Sequence, residues 1–107
     1  MDSFDRRKDG FERKFAHDEE LRFKATARRN RLLGHWAAEK LGLNGAEADA
    51  YARDVVKADF AVPGDQDVFD KLRSDFDAGK VAVSDQQIRR TMDELLAAAV
   101  EQIQAER

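Results

Sequence analysis

An all-α fold, a small four-helix bundle with a flexible N-terminal arm, is what this sequence predicts, and three observations predict it. Apolar residues recur at steps of three and four through four stretches. Breaks at Gly42 with Asn44 and Gly45, at Pro63 and Gly64, and at Gly79 separate those stretches. The first seventeen residues lack the pattern: nine of them are Asp, Glu, Lys or Arg. On this reading residues 1–17 form the arm and residues 18–107 the four-helix domain, with helices at about 18–42, 45–60, 65–78 and 85–105.

The front segment offers three phenylalanines and little aliphatic surface. Phe4, Phe11 and Phe15 stand at i, i+7 and i+11, which places them within a narrow arc of a helix. Gly10, in the middle, costs a helix about 1 kcal/mol relative to Ala. Alone, such a segment is expected to be mostly disordered. Two readings of the phenylalanines stand side by side. They either staple the segment onto its own domain, or serve as anchors for helix-in-groove recognition of a partner.

The first helix carries Leu21, Ala25, Leu32, Leu33 and Trp36 on one side. A polar stripe of His17, Glu20, Lys24, Arg28, Arg31 and His35 covers another, with Glu20 and Lys24 spaced to pair. Arg29 intrudes on the apolar arc, so its stem is expected along the core and its guanidinium on a carboxylate of another helix. Asn44 and Glu47 have the form of a capping box for the second helix, which bears Ala48, Tyr51, Ala52, Val55 and Val56. It ends near Phe60, because Pro63 forbids continuation. Asp65 caps a third helix bearing Phe69, Leu72 and Phe76, closed by Gly79. Ser84 and Gln87 make a further capping box. The last helix is the cleanest, with Ile88, Met92, Leu95, Leu96, Ala99, Val100 and Ile103. Lys80–Ser84 alternates like a strand, but one five-residue strand has nothing to pair with. Four helices on short loops are expected to pack largely antiparallel.

Composition narrows the function classes. A chain of 107 residues is one domain able to bury roughly two-thirds of its unfolded surface. Without cysteine it has neither a disulfide framework nor a thiolate metal site. No apolar run approaches the length of a membrane span and no signal peptide opens the chain, so a soluble cytoplasmic protein is expected, without membrane insertion. Net charge is −3, divided as +3 over residues 1–31 and −6 over residues 32–107. A cationic front end attracts nucleic acid, but its seven interleaved carboxylates oppose phosphate neutralisation, and a mixed-charge protein partner fits better. No catalytic site, cofactor or metal is expected. His17 and His35 lie about 27 Å apart along a helix. Asp65 and Asp67 open a calcium-loop pattern that fails at Asp70, where Gly is needed, and at Phe76, where Glu is needed. There is no Gly-rich phosphate loop and no paired Ser and His.

The segments FERKFAHDEELRFKATARRNRLLGHWAAEKLG, ADAYARDVVKADF, PGDQDVFDKLRSDFDA and VSDQQIRRTMDELLAAAVEQI, in this order, resemble the zeta subunit of alphaproteobacterial F-type ATP synthases, a small ATPase inhibitor. The block FKATARRNRLLGHWAAEKLG is the most specific. The resemblance implies a four-helix domain with a mobile N-terminal inhibitory arm. That arm would enter the catalytic interface of the ATPase head, between alpha and beta subunits and beside the gamma stalk, and block rotation in the hydrolytic direction. On that mapping Phe4, Phe11 and Phe15 become buried contacts, and Arg6, Arg7, Arg13 and Lys14 pair with acidic groups in the cleft. The protein would be a monomer, peripheral on the cytoplasmic side of the inner membrane through the ATP synthase, and not an enzyme. Two other classes stay open: a nucleic-acid-binding protein using Lys24, Arg28 and Arg31, and a bundle that binds a nucleotide.

Overall fold

Helix α1 (Glu19–Lys40) is the axis of the domain, and one ladder of side chains at four-residue steps explains how. Leu21, Ala25, Arg29, Leu33 and Ala37 lie one turn apart and are all buried. The computed structural model describes residues 19–59 and 65–106. Within them α1 is followed by α2 (Gly45–Ala58), α3 (Gln66–Ala78) and α4 (Asp85–Ala105), and the described residues contain no strand. The all-α four-helix architecture read from periodicity is the one observed.

Arg29 divides the ladder, and with it the core. Beyond it, Leu33 and Ala37 join Val55 of α2, Val68, Leu72 and Phe76 of α3, and Ile88 and Met92 of α4 in the main apolar cluster. Trp36 packs edge-on against Phe76, ring centroids 5.7 Å apart. Before it, among the described residues, Leu21 and Ala25 join Val100 and Ile103 of α4, with Leu96 alongside, in a second and smaller cluster. The pairing of Leu21 with Ile103 at one end and of Leu33 with Ile88 at the other sets α1 and α4 antiparallel. α2 packs along α1, while α3 bridges α2 and α4.

The α1–α2 contact depends on the absence of a side chain. A Cβ at Gly34 would stand 2.5 Å from the Cα of Ala52, so the two backbones meet where no other residue fits. Gly34 lies mid-helix, where glycine weakens the helix by about 1 kcal/mol, and the close approach is what it is exchanged for.

The helix ends correct several sequence expectations. α1 stops at Gly42 (φ 79), where Leu43 N–H donates to Ala38 O at 2.8 Å and Gly42 N–H to Glu39 O at 3.1 Å, the paired bonds of a Schellman turn. The same pair closes α3, from Val81 to Phe76 O at 2.8 Å and from Lys80 to Asp77 O at 3.2 Å. There the left-handed residue is Lys80 (φ 57), not Gly79, which is right-handed. The chain thus accepts a lysine where glycine would relieve roughly 1 kcal/mol. Neither Asn44 nor Asp65 makes a side-chain cap bond. Asp65 instead accepts from Arg89, whose guanidinium also covers the Phe69 ring at 4.2 Å. Ser84 does cap α4, accepting from Gln87 N–H at 3.0 Å. α2 ends at Ala58, and Phe60 lies outside the described residues. The alternation in Lys80–Ser84 is a tether: Val83 is buried and Val81 packs on the main cluster without a strand.

Candidate functional site

The residues expected to meet a partner, Phe4, Arg6, Arg7, Phe11, Arg13, Lys14 and Phe15, lie outside the described residues. What the structure describes is the platform that follows them, beginning at the first turn of α1. Two features of that platform are polar where a core would be apolar, or cationic without compensation.

The first feature surrounds the dividing rung of α1. Arg29 and Asn30 are buried, and Arg29 Nε donates to Asn30 Oδ1 at 2.7 Å. The guanidinium does not reach a carboxylate on another helix as the sequence suggested; no ion pair to Arg29 forms among the described residues. Burial lowers its pKa, opposed at longer range by Asp59, Asp65 and Asp93. Asp59, just beyond α2, is driven the other way: burial raises its carboxyl pKa, against the pull of the Asn30 amide and Arg29. Asn30 and Asp59 nevertheless fall outside hydrogen-bond geometry, and Asn30 Nδ2 and Asp59 Oδ1 are both buried without a partner. A small cleft of about 100 Å³ lined by Phe23, Thr26, Ala27, Asn30, Val56 and Asp59 lies here. Unmade hydrogen bonds of this kind cost about 1–3 kcal/mol each, so the cluster loosens this end of the bundle.

The second feature is the polar stripe of α1 and the α2 surface beside it. Lys24 pairs with Glu20 at 3.2 Å, both well exposed. Arg28 grips the far end of α4 with two prongs, to Glu106 Oε1 at 2.6 Å and Oε2 at 3.1 Å. That contact raises the Arg28 pKa and lowers that of Glu106. Two of the three cations weighed as a nucleic-acid strip are therefore matched to carboxylates. Arg31 is not; it faces a groove with His35 and with Arg53 and Lys57 of α2. Sequence reasoning missed Arg53 and Lys57 as a group. They stand four apart on the exposed face of α2, a signal visible in the chain, but only the α1–α2 crossing brings them opposite Arg31.

Among the described residues no group of three His, Cys, Asp or Glu is placed to hold a metal ion, and no helix is long and apolar enough to cross a membrane. The Tyr51 hydroxyl donates to Asp75 at 2.7 Å in a half-buried contact that, with Lys71 over the ring and paired to Asp75, joins α2 to α3. Burial pushes the Tyr51 hydroxyl far above its ordinary pKa, which suits a structural donor and opposes a role as base.

Comparison with known proteins supplies what the platform alone does not. The family model for ATPase inhibitor subunit zeta matches residues 1–102. This chain belongs to that family. The match extends through the front segment, so the zeta assignment covers residues 1–18 and the bundle together. A structure solved by NMR in solution is similar over 81% of this chain and 99% of its own, with 44% identity and a TM-score of 0.72. No curated protein matches the chain. As a member of the zeta family the chain has an inhibitory role on an ATPase and a regulatory character.

Proposed function

We propose that this zeta-family chain inhibits an F-type ATPase by inserting residues 1–17 into the catalytic interface, between alpha and beta subunits and beside gamma, on the cytoplasmic side of the membrane. Phe4, Phe11 and Phe15 are the buried anchors, and Arg6, Arg7, Arg13 and Lys14 answer acidic groups of the cleft. The observation that carries this reading is the family match beginning at residue 1, over a segment whose aromatics have no aliphatic partners of their own. The bundle supports it as scaffold, since among the described residues two apolar clusters are assembled from side chains between Leu21 and Ile103.

Removing residues 1–17 tests the proposal. Inhibition of ATP hydrolysis by the purified cognate ATPase is expected to vanish, while helical circular dichroism and the cooperativity of melting persist. Loss of cooperative melting together with inhibition would make the segment part of the core and overturn the mechanism.

A further inference from the structure

Where α1 and α2 cross, their outward side chains flank a groove of about 440 Å³. Ala52 and Val56 form its floor, Arg31 and His35 line it from α1, and Arg53 and Lys57 from α2. Gly34 sets its depth, because the backbone contact with Ala52 leaves no side chain to fill the crossing. Asp49, the one carboxylate in the lining, lies 3.8 Å from His35 Nε2. Arg31, Arg53 and Lys57 are exposed and have no ion-pair partner among the described residues. Elsewhere in the bundle Lys24, Arg28, Lys71, Arg73 and Arg89 are each matched to a carboxylate, while Arg22, Lys40, Lys80 and Arg90 have no ion-pair partner among the described residues either and lie outside this groove.

We infer that this groove is a second docking surface for the ATPase, seating an acidic segment whose carboxylates meet Arg31, Arg53 and Lys57 while an aliphatic side chain rests on Ala52 and Val56. The inference rests on the inhibitory reading above and adds to it a contact remote from the arm. Charge complementarity identifies the occupant: convergent cations with an apolar floor suit an amphipathic acidic segment. The cations are carried on exposed, separately mobile stems, which attract a charged surface at range but do not make the fixed, desolvated cradle a small phosphate needs. Exposed charges of this kind act on the rate of encounter more than on final affinity.

The test measures how fast the full-length protein inhibits the cognate ATPase, over a range of salt, for the wild type, R53E/K57E and a control, K80E/R90E. Lys80 and Arg90 are exposed and away from the groove, and both double variants change net charge equally. R53E/K57E is expected to slow onset about tenfold at low salt, with the gap closing as salt rises, and K80E/R90E to stay near the wild type. R53Q/K57Q, which only neutralises, is expected to fall between, and guards against misfolding of the reversal. Wild-type onset in R53E/K57E overturns the inference, as does equal slowing by the control. So does a groove that binds ATP in calorimetry, loses it in R53E/K57E, and leaves onset unchanged. If deletion of residues 1–17 abolishes inhibition while R53E/K57E matches the wild type, the groove inference alone falls. If the deletion leaves inhibition intact, the arm mechanism falls instead.

Discussion

The two halves of α1 are helical alike but are held in different ways. Its C-terminal half is packed by three other helices, with Leu33, Ala37 and Trp36 set against Phe76, Leu72, Ile88 and Met92. Among the described residues its N-terminal half buries Leu21 and Ala25 in a smaller cluster with α4, and next to that contact lie a buried Arg29 and two unpartnered polar atoms. Local opening follows packing and hydrogen-bond satisfaction, so the first half belongs to the low-stability end of the molecule and the second to its global core. The half that is weakly held is the one continuous with the proposed arm. A firmly packed C-terminal half thus grades into a less firmly packed N-terminal half, which suits the proposed insertion of residues 1–17 while the bundle stays folded.

The widest separation between the halves should come from paired truncations. Phe76→Ala empties a fully buried site where four helices meet, and is expected to cost about 4 kcal/mol. Leu21→Ala also removes a buried side chain, but α1 and α4 can close together there, so roughly 2 kcal/mol is expected, the low end for such a change. Urea unfolding of the two variants decides, and equal losses would mean that the N-terminal half is as firmly built as the core. Amide exchange should agree, with protection falling from residue 37 towards residue 21.

Gly34→Ala probes the boundary between the halves, with a smaller effect. Alanine is the better helix former by about 1 kcal/mol. Its Cβ, however, would meet backbone at Ala52, which a side-chain rotation cannot relieve, and α2 must move away from α1. A net loss of about 2 kcal/mol is expected in thermal or chemical unfolding. A gain of stability would show that the crossing has slack and that Gly34 merely weakens the helix.

The difference between the halves also marks how far the sequence could be read. Four helices were legible because apolar spacing is a local signal, and Leu33, Val55, Leu72, Phe76, Ile88 and Met92 fell on the expected faces. Val68 escaped, since a single valine between an acidic residue and Phe69 does not announce which of two neighbours turns inward; it is fully buried. Gly79 does close α3 as its C-cap, but the left-handed position falls on Lys80, because the end of a helix is fixed by the packing of Val81 and Val83 as well as by propensity. Arg29 was recognised as an intruder in an apolar stripe, but its partner was not, as its nearest donor–acceptor contact is its own neighbour Asn30. The groove was the least legible. Arg31, Arg53 and Lys57 come together only through a crossing that the absence of a side chain at Gly34 permits, and no periodicity within either helix encodes it.

The smallest expected effect is one of sign, and it lies wholly in the weakly held half. Burial raises the native pKa of Asp59 above its ordinary 3.8, so the folded protein holds that proton more tightly than the unfolded chain does. The charged form therefore destabilises the fold above the raised native pKa, and the penalty lifts as pH falls from there towards the unfolded value. Glu106 behaves oppositely: the Arg28 contact depresses its pKa below 4.5, so its contribution is present above that ordinary value and is lost as pH falls through the lower native one. Asp59→Asn keeps the shape and removes the charge. At neutral pH the variant is expected to be slightly more stable than the wild type, with the advantage shrinking on acidification. Glu106→Gln is expected to be slightly less stable at neutral pH, with a deficit that shrinks on acidification too. Urea midpoints of the three proteins across the carboxylate range read both signs. If Asp59→Asn were the less stable protein at neutral pH, the attraction of Arg29 and Asn30 would outweigh burial, and the polar cluster would be a brace of the N-terminal half rather than its weak point.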